Sequence, residues 1–321
     1  MPVTRVLPDR IAFVKLNSAG NDFICLDNLA GAYDGLLASG GVGPFVRHLC
    51  RRGLSVGADG VVFALGAEGL AGADIVARFF EPDGSEAKLC GNGAACFTYW
   101  AVRQALVAGP DVCVLTRAGT ARGRVNPAKP RQVRVCIPDP GRMQRNLHLD
   151  VAGETVTLDT LDTGVPHAVV AVEGDLDAVE VSRLGAAIRH HPRFAPDGVN
   201  VNFVKVIRPG HLAIRTFEFG VEAETLACGT GSAAAAILSA LRNGWPDEYR
   251  HRQSPVRVRV RSGDELMVWF EARDGNDARS VCLDTHVTPV YEAELTADVC
   301  EDLLALTRAA APQHGSFTAE T

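Results

Sequence analysis

The chain of 321 residues reads as an α+β protein of two pseudo-symmetric domains, each a mostly antiparallel sheet wrapped around one central helix. Three observations predict this. Short β-branched and apolar runs, broken by turns, recur along the length. Each half holds one apolar, alanine-rich segment of helical spacing. The same phrase stands directly before both segments: Glu86-Ala87-Lys88-Leu89-Cys90-Gly91-Asn92-Gly93 in the first half, Glu224-Thr225-Leu226-Ala227-Cys228-Gly229-Thr230-Gly231 in the second.

In chain order, residues 11–16 and 23–26 are strands flanking a turn, and 60–64 and 75–80 are strands, the latter ending at Glu81-Pro82-Asp83-Gly84. Helix follows Cys90, with Ala94, Phe97, Trp100, Ala101 and Leu106 close to helical spacing, and strands resume at 112–115 and 132–135. Pro138-Asp139-Pro140-Gly141 then breaks the pattern. The first domain is expected to span 1–136, with 287–321 returning to it as last strand and tail, and the second 137–286. Strands at 156–158, 168–172, 201–206 and 212–217 repeat the plan, and a helix over 231–243 is stopped by Gly244 and Pro246. Beyond 296 the sequence supports one helix, 300–309, and a polar tail expected to be disordered.

Composition narrows the functional classes. At 47% hydrophobic, 22% charged and a net charge of -6, with Lys and Arg scattered, the chain suits neither nucleic acid nor an anionic membrane as partner. The arginines from Arg250 to Arg261 partly alternate with Val256, Val258 and Val260, which reads as the solvated face of a strand. No charge-free run is long enough for a membrane span, and Met1-Pro2-Val3-Thr4-Arg5 lacks a signal-peptide core. Nine cysteines without a Cys-x-x-Cys pair fit neither a disulfide scaffold nor a zinc site, so the cytoplasm is the expected location.

The chemistry rests on the two cysteines. A thiol at a helix N-terminus faces unpaired backbone N–H groups and the positive end of the helix dipole, which favour thiolate. Gly-Asn-Gly and Gly-Thr-Gly allow the backbone to approach an anion, so two such starts facing one cleft would hold an α-carboxylate with one sulfur on each face of the α-carbon. A thiolate on one side and a thiol on the other can remove and replace the α-proton with inversion. Clustered N–H donors would stabilise the developing charge. No metal or organic cofactor is needed for this.

Those phrases, together with Gly20-Asn21-Asp22-Phe23, Val56-Gly57-Ala58-Asp59-Gly60, Asp83-Gly84-Ser85-Glu86, Thr163-Gly164-x-Pro166-His167-Ala168, Gly198-x-Asn200-Val201 and Glu222-x-Glu224-Thr225, occur in one order from Phe13 to Leu295. In this the sequence resembles the diaminopimelate epimerase family of pyridoxal-independent, two-cysteine epimerases. The resemblance implies Cys90 and Cys228 as acid/base thiols, with His167 and Glu218 beside them. It implies Asn21, Gly91, Asn92, Gly93, Gly229 and Thr230 around the amino-acid end of a small-molecule substrate. Homodimers occur on this fold.

The far end of the site departs from the family pattern. The arginine after the catalytic glutamate is here Phe219, the asparagine opening the turn before Asp-Gly-Ser-Glu is Glu81, and the asparagine before Pro-His is Val165; only Asn200 of that group remains. Loss of an arginine paired with a buried carboxylate costs roughly 2 to 5 kcal/mol. The expected substrate is therefore an amino acid with a basic or imidazole side chain (histidine, lysine, ornithine or arginine), attracted by Glu81 and packed by Phe219 and Val165. Diaminopimelate itself remains the alternative if Arg193 or Arg215 replaces the lost arginine. A thiol redox protein or a non-catalytic amino-acid binding protein would be further readings.

Overall fold

A computed structural model describes residues 7–273 and 277–310. The first half runs β1 (Ala12–Ser18), β2 (Asn21–Asp27), α1 (Asp34–Ala38), α2 (Val42–Cys50), β3 (Gly60–Leu65), β4 (Ile75–Phe80), β5 (Glu86–Ala87), α3 (Gly91–Arg103), β6 (Asp111–Thr116), β7 (Gly119–Val125) and β8 (Gln132–Cys136). The second runs β9 (Met143–Val151), β10 (Glu154–Asp162), β11 (Pro166–Ala171), α4 (Val181–Arg189), β12 (Asn200–Arg208), β13 (His211–Glu218), β14 (Ala223–Thr225), α5 (Gly229–Arg242), α6 (Asp247–Arg250), β15 (Val256–Arg259), β16 (Glu265–Arg273) and β17 (Asp277–Glu294). Helix α7 (Ala297–Ala310) follows.

The two halves share one plan. Most neighbouring strands are antiparallel, but β2–β3 and β4–β6 in the first half, and β11–β12 and β13–β15 in the second, are parallel. Parallel neighbours need a crossover rather than a hairpin. The crossovers supply the helices: α1 and α2 or α4 outside each sheet, α3 or α5 within it. Short-range periodicity missed α1, α2 and α4 because their apolar stripes are only a few residues long. Helices α3 and α5 are buried almost all round, from Gly91 to Ala101 and from Gly229 to Ala240. This explains their small and apolar composition better than any one-sided stripe. Leu106, expected on the helical stripe, lies beyond the end of α3.

In the first lobe β1, β2, β3, β4, β6, β7, β8 and β17 pair in succession, and β17 pairs back to β1, closing the sheet around α3. In the second, β9 to β13 and β15 to β17 wrap α5. Strand β17 belongs to both: its first part pairs with β16 and its second with β8 and β1. We propose the lobe boundaries at 136/137 and 286/287, where these ladders change partner.

Two features differ from the expectations. Cys136 and Cys282 face each other in the β8–β17 register and form a disulfide, 146 residues apart in sequence. No local motif could announce it, because only the ladder register brings the two thiols together. The extension after 296 is also structural. Cys300 and Leu303 on α7 are buried with Phe45 and Leu49 of α2, so the helix caps the outer core of the first lobe. The tail expected after it lies outside the described residues. Among the described residues no helix is long and apolar enough to cross a membrane.

Leu303 is fully buried, so Leu303→Ala is expected to destabilise the fold by about 2 to 4 kcal/mol in denaturant unfolding. A change below about 0.5 kcal/mol would mean that α7 does not pack there in solution.

Candidate active site

Each lobe presents its cysteine in the same way. Cys90 is the N-cap of α3 with φ -124° and ψ 123°; Cys228 is the N-cap of α5 with φ -129° and ψ 112°. Each Sγ accepts from the amide three residues on, Gly93 N–H at 3.4 Å and Gly231 N–H at 3.3 Å, the ordinary role of an N-cap side chain. The repeated glycines have a steric reason. A Cβ on Gly91 would lie 3.2 Å from the Cα of Gly229, and one on Gly229 equally close to Gly91. The two helix starts therefore abut, and a side chain at either glycine would wedge the lobes apart.

The glutamates four residues before the cysteines also have matching partners. Glu86 pairs with Arg78 at 2.9 Å, and Glu224 with Arg215 at 2.7 Å. In each lobe an arginine on the preceding strand thus anchors the short strand that leads into the cysteine.

Around Cys228 the side chains form a chain of hydrogen bonds. Thr216 Oγ1 donates to Asn202 Oδ1 at 3.0 Å, and Asn202 Nδ2 donates to His167 Nδ1 at 3.1 Å. With Nδ1 accepting, the proton of the neutral imidazole is assigned to Nε2, which lies 3.0 Å from Thr230 Oγ1. Thr230 Oγ1 is 3.5 Å from Cys228 Sγ. Burial holds His167 down at about 3, so it stays neutral. Asn202 was not singled out in the sequence, although it follows Asn200 by two residues on one strand and so shares its face.

On the first lobe Asn92 Nδ2 donates to Asn21 Oδ1 at 2.6 Å and to the Ala227 carbonyl of the other lobe at 3.4 Å. Asn21 Nδ2 donates in turn to Asp59 Oδ2 at 3.5 Å. Arg52 bridges Asp59 and Asp22, and Lys15 pairs with Asp22, which fixes this wall.

Burial, not the helix termini, dominates the ionisation of the thiols. It pushes both cysteines well above their ordinary value, reinforced at Cys90 by Glu81 and at Cys228 by Glu218; the Gly93 and Gly231 amides and the Thr230 hydroxyl act the other way but more weakly. The expected preference for thiolate is thus reversed by desolvation. Burial also pushes Glu218 to about 7, although the Thr225 hydroxyl donates a hydrogen bond to it and the Cys228 thiol acts in the same, lowering direction. Glu81 rises to about 8 through burial and the Glu218, Asp83 and Asp59 carboxylates. Its expected pull on a cationic side chain is correspondingly weakened, because the acid is largely protonated near neutrality.

Glu81, Val165, His167 and Phe219 line a cavity of about 710 Å³ that extends outward to Arg142, Gln144, Asp162, Arg193 and Asp197. The Phe219 N–H donates to Asn200 Oδ1 at 3.0 Å, and the Arg189 guanidinium covers the Phe219 ring at 5.2 Å. Arg215 cannot replace the lost arginine. It is fixed by Glu224 and by the carbonyls of Leu176, Asp177 and Val179. Arg193 does line the cavity.

The sequence profile of the diaminopimelate epimerase family matches residues 13–137 and 160–278. The chain belongs to that family. It is 38% identical over 291 residues to a diaminopimelate epimerase of Aquifex aeolicus (strain VF5), covering 90% of this chain and 99% of the relative. It is 37% identical to that of Hydrogenobaculum sp. (strain Y04AAS1) over 288 residues, 89% of this chain and 98% of the relative. A solved structure of a probable proline racemase from Agrobacterium radiobacter K84 shares the fold with a TM-score of 0.70 at 17% identity, over 92% of this chain and 95% of that one. The family member is accordingly an enzyme, an isomerase of the racemase and epimerase type.

Glu81 and Glu218 titrate at about 8 and about 7 in the folded enzyme against an ordinary 4.5. Ionising them therefore costs folded-state stability: their contribution is fully present below pH 4.5 and is lost as pH rises through about 7 and 8. The thermal midpoint is expected to fall from about pH 5 to about pH 9, and Glu81→Gln to remove the upper part of that fall. A Glu81→Gln profile parallel to that of the wild type would contradict this assignment.

Proposed function

We propose that the enzyme inverts the α-carbon of a diamino diacid of the diaminopimelate class, with Cys90 and Cys228 acting from opposite faces. The amides of Gly91, Asn92 and Gly93 and of Gly229 and Thr230 would hold the α-carboxylate beside the two abutting helix starts, with Asn21 and Asn92 forming the neighbouring wall. One sulfur takes the α-proton and the other returns one to the opposite face. Glu218 accepts the proton that Cys228 must lose to become a base. His167, held by Asn202 and backed by Thr230, keeps that sulfur in a fixed hydrogen-bonding environment.

The outer cavity carries the substrate reading. The side chains of Arg142 and Lys88 have no partner among the described residues, and that of Arg193 only Gln144 Oε1 at 3.3 Å. Asp162 and Asp197 on the same walls form no ion pair there. A second amino-carboxylate end needs both signs, guanidinium for the carboxylate and carboxylate for the ammonium. Both are offered in one space that begins at His167. The names of the curated relatives support the same class.

A second reading, a racemase of a basic amino acid, is favoured by Phe219 and Val165, apolar side chains that line the cavity beside Glu81.

The deciding experiment is α-proton exchange in deuterated water under reducing conditions, with diaminopimelate, lysine, ornithine, arginine and histidine. Exchange and inversion with diaminopimelate are expected, with inversion abolished in Cys90→Ala and in Cys228→Ala. Exchange with a basic amino acid and none with diaminopimelate would instead establish the second reading. The double variant Arg142→Gln, Arg193→Gln is expected to raise the KM for diaminopimelate by about 10- to 100-fold, most at low ionic strength. An unchanged KM would remove the outer cavity from recognition.

A further inference from the structure

The pseudo-symmetry of the lobes extends to a second carboxylate, Glu81. Arg78-Phe79-Phe80-Glu81 closes β4 as Arg215-Thr216-Phe217-Glu218 closes β13. In both segments the arginine is paired with the glutamate four residues before the cysteine, and the strand turns into the short strand that leads to it. The anchored register makes Glu81 the counterpart of Glu218. Glu81 reaches across the cleft: its Cγ lies 3.7 Å from where a Cβ on Gly220 would stand. When ionised it pushes the Cys90 thiol up, as Glu218 does that of Cys228, so both carboxyls act on the sulfur of their own lobe.

We propose that Glu81 is the proton acceptor for Cys90, the mirror of Glu218 for Cys228, so that each thiol has its own carboxyl partner. This rests on the reading of both cysteines as acid and base. In the step, the Cys90 S–H bond breaks, the proton forms an O–H bond on the Glu81 carboxylate, and the electron pair stays on sulfur. The neutral acid returns the proton after the thiolate has acted. The charged or titratable groups around the pair are Glu218, Asp83 and Asp59 about Glu81, and Glu218 and Cys96 about Cys90, where the Gly93 N–H also supports the thiolate. With Glu81 raised to about 8, the step gains its acceptor as pH rises through that value.

Residue-resolved alkylation tests this without any substrate. Iodoacetamide labelling of Cys90 and Cys228 would be followed by mass spectrometry from about pH 6 to 10 in wild type, Glu81→Gln and Glu218→Gln under reducing conditions. Glu81→Gln is expected to slow Cys90 labelling about 10-fold or more near pH 8 with Cys228 unchanged, and Glu218→Gln the reverse. Turnover in Glu81→Gln should fall about 100-fold and lose its rise near pH 8, with Glu81→Asp recovering part of both. If Glu81 only repels charge, its removal eases ionisation of Cys90 and speeds labelling; faster or unchanged labelling overturns the proposal. Retained inversion in Cys90→Ala would instead overturn the two-cysteine reading beneath it, a separate result.

Discussion

The contact on which the rest depends is the abutment of two helix N-termini, Gly91 against Gly229, with no side chain between them. Two helices can point their starts at one another only if each is enclosed by its own lobe. Hence α3 and α5 are buried on all sides and built from small and apolar residues. The two cysteines stand at the N-caps of the abutting helices, and Asn92 ties the lobes together by donating to the Ala227 carbonyl. Twofold geometry at the centre dictates a duplicated architecture around it.

That enclosure sets the electrostatics against the chemistry. A helix start by itself favours thiolate, yet desolvation exceeds the few amide and hydroxyl donors at each sulfur. The same burial lifts the nearby carboxyls into the range where they exchange protons near neutrality. A thiol that is hard to ionise is thus set beside an acid that is easy to protonate. A proton can pass between them while the net charge of the cleft stays constant.

Away from the centre, the side-chain end of the site is looser and less symmetric. The Phe219 ring is covered by the Arg189 guanidinium, while the side chains of Arg142, Arg193, Asp162 and Asp197 line the outer wall without an ion pair among the described residues. These residues lie away from the two helix starts, at strand ends, in turns and at the short helical segment around Arg193.

The sequence by itself determined the duplicated α+β plan, the two cysteines and most of the polar residues beside them. Each of these is written in a local phrase whose spacing fixes a helix start or a turn. The strands at 75–80 and the helices after both cysteines were legible for that reason. Only the tertiary structure decided what depends on distant segments meeting. It joined Cys136 to Cys282 through a ladder register, put Asn202 behind His167, locked Arg215 away from the cleft and brought Arg142 and Arg193 to one cavity wall. It also reversed the expected ionisation of the thiols, because burial is a property of the enclosing lobes and not of the helix that carries the sulfur.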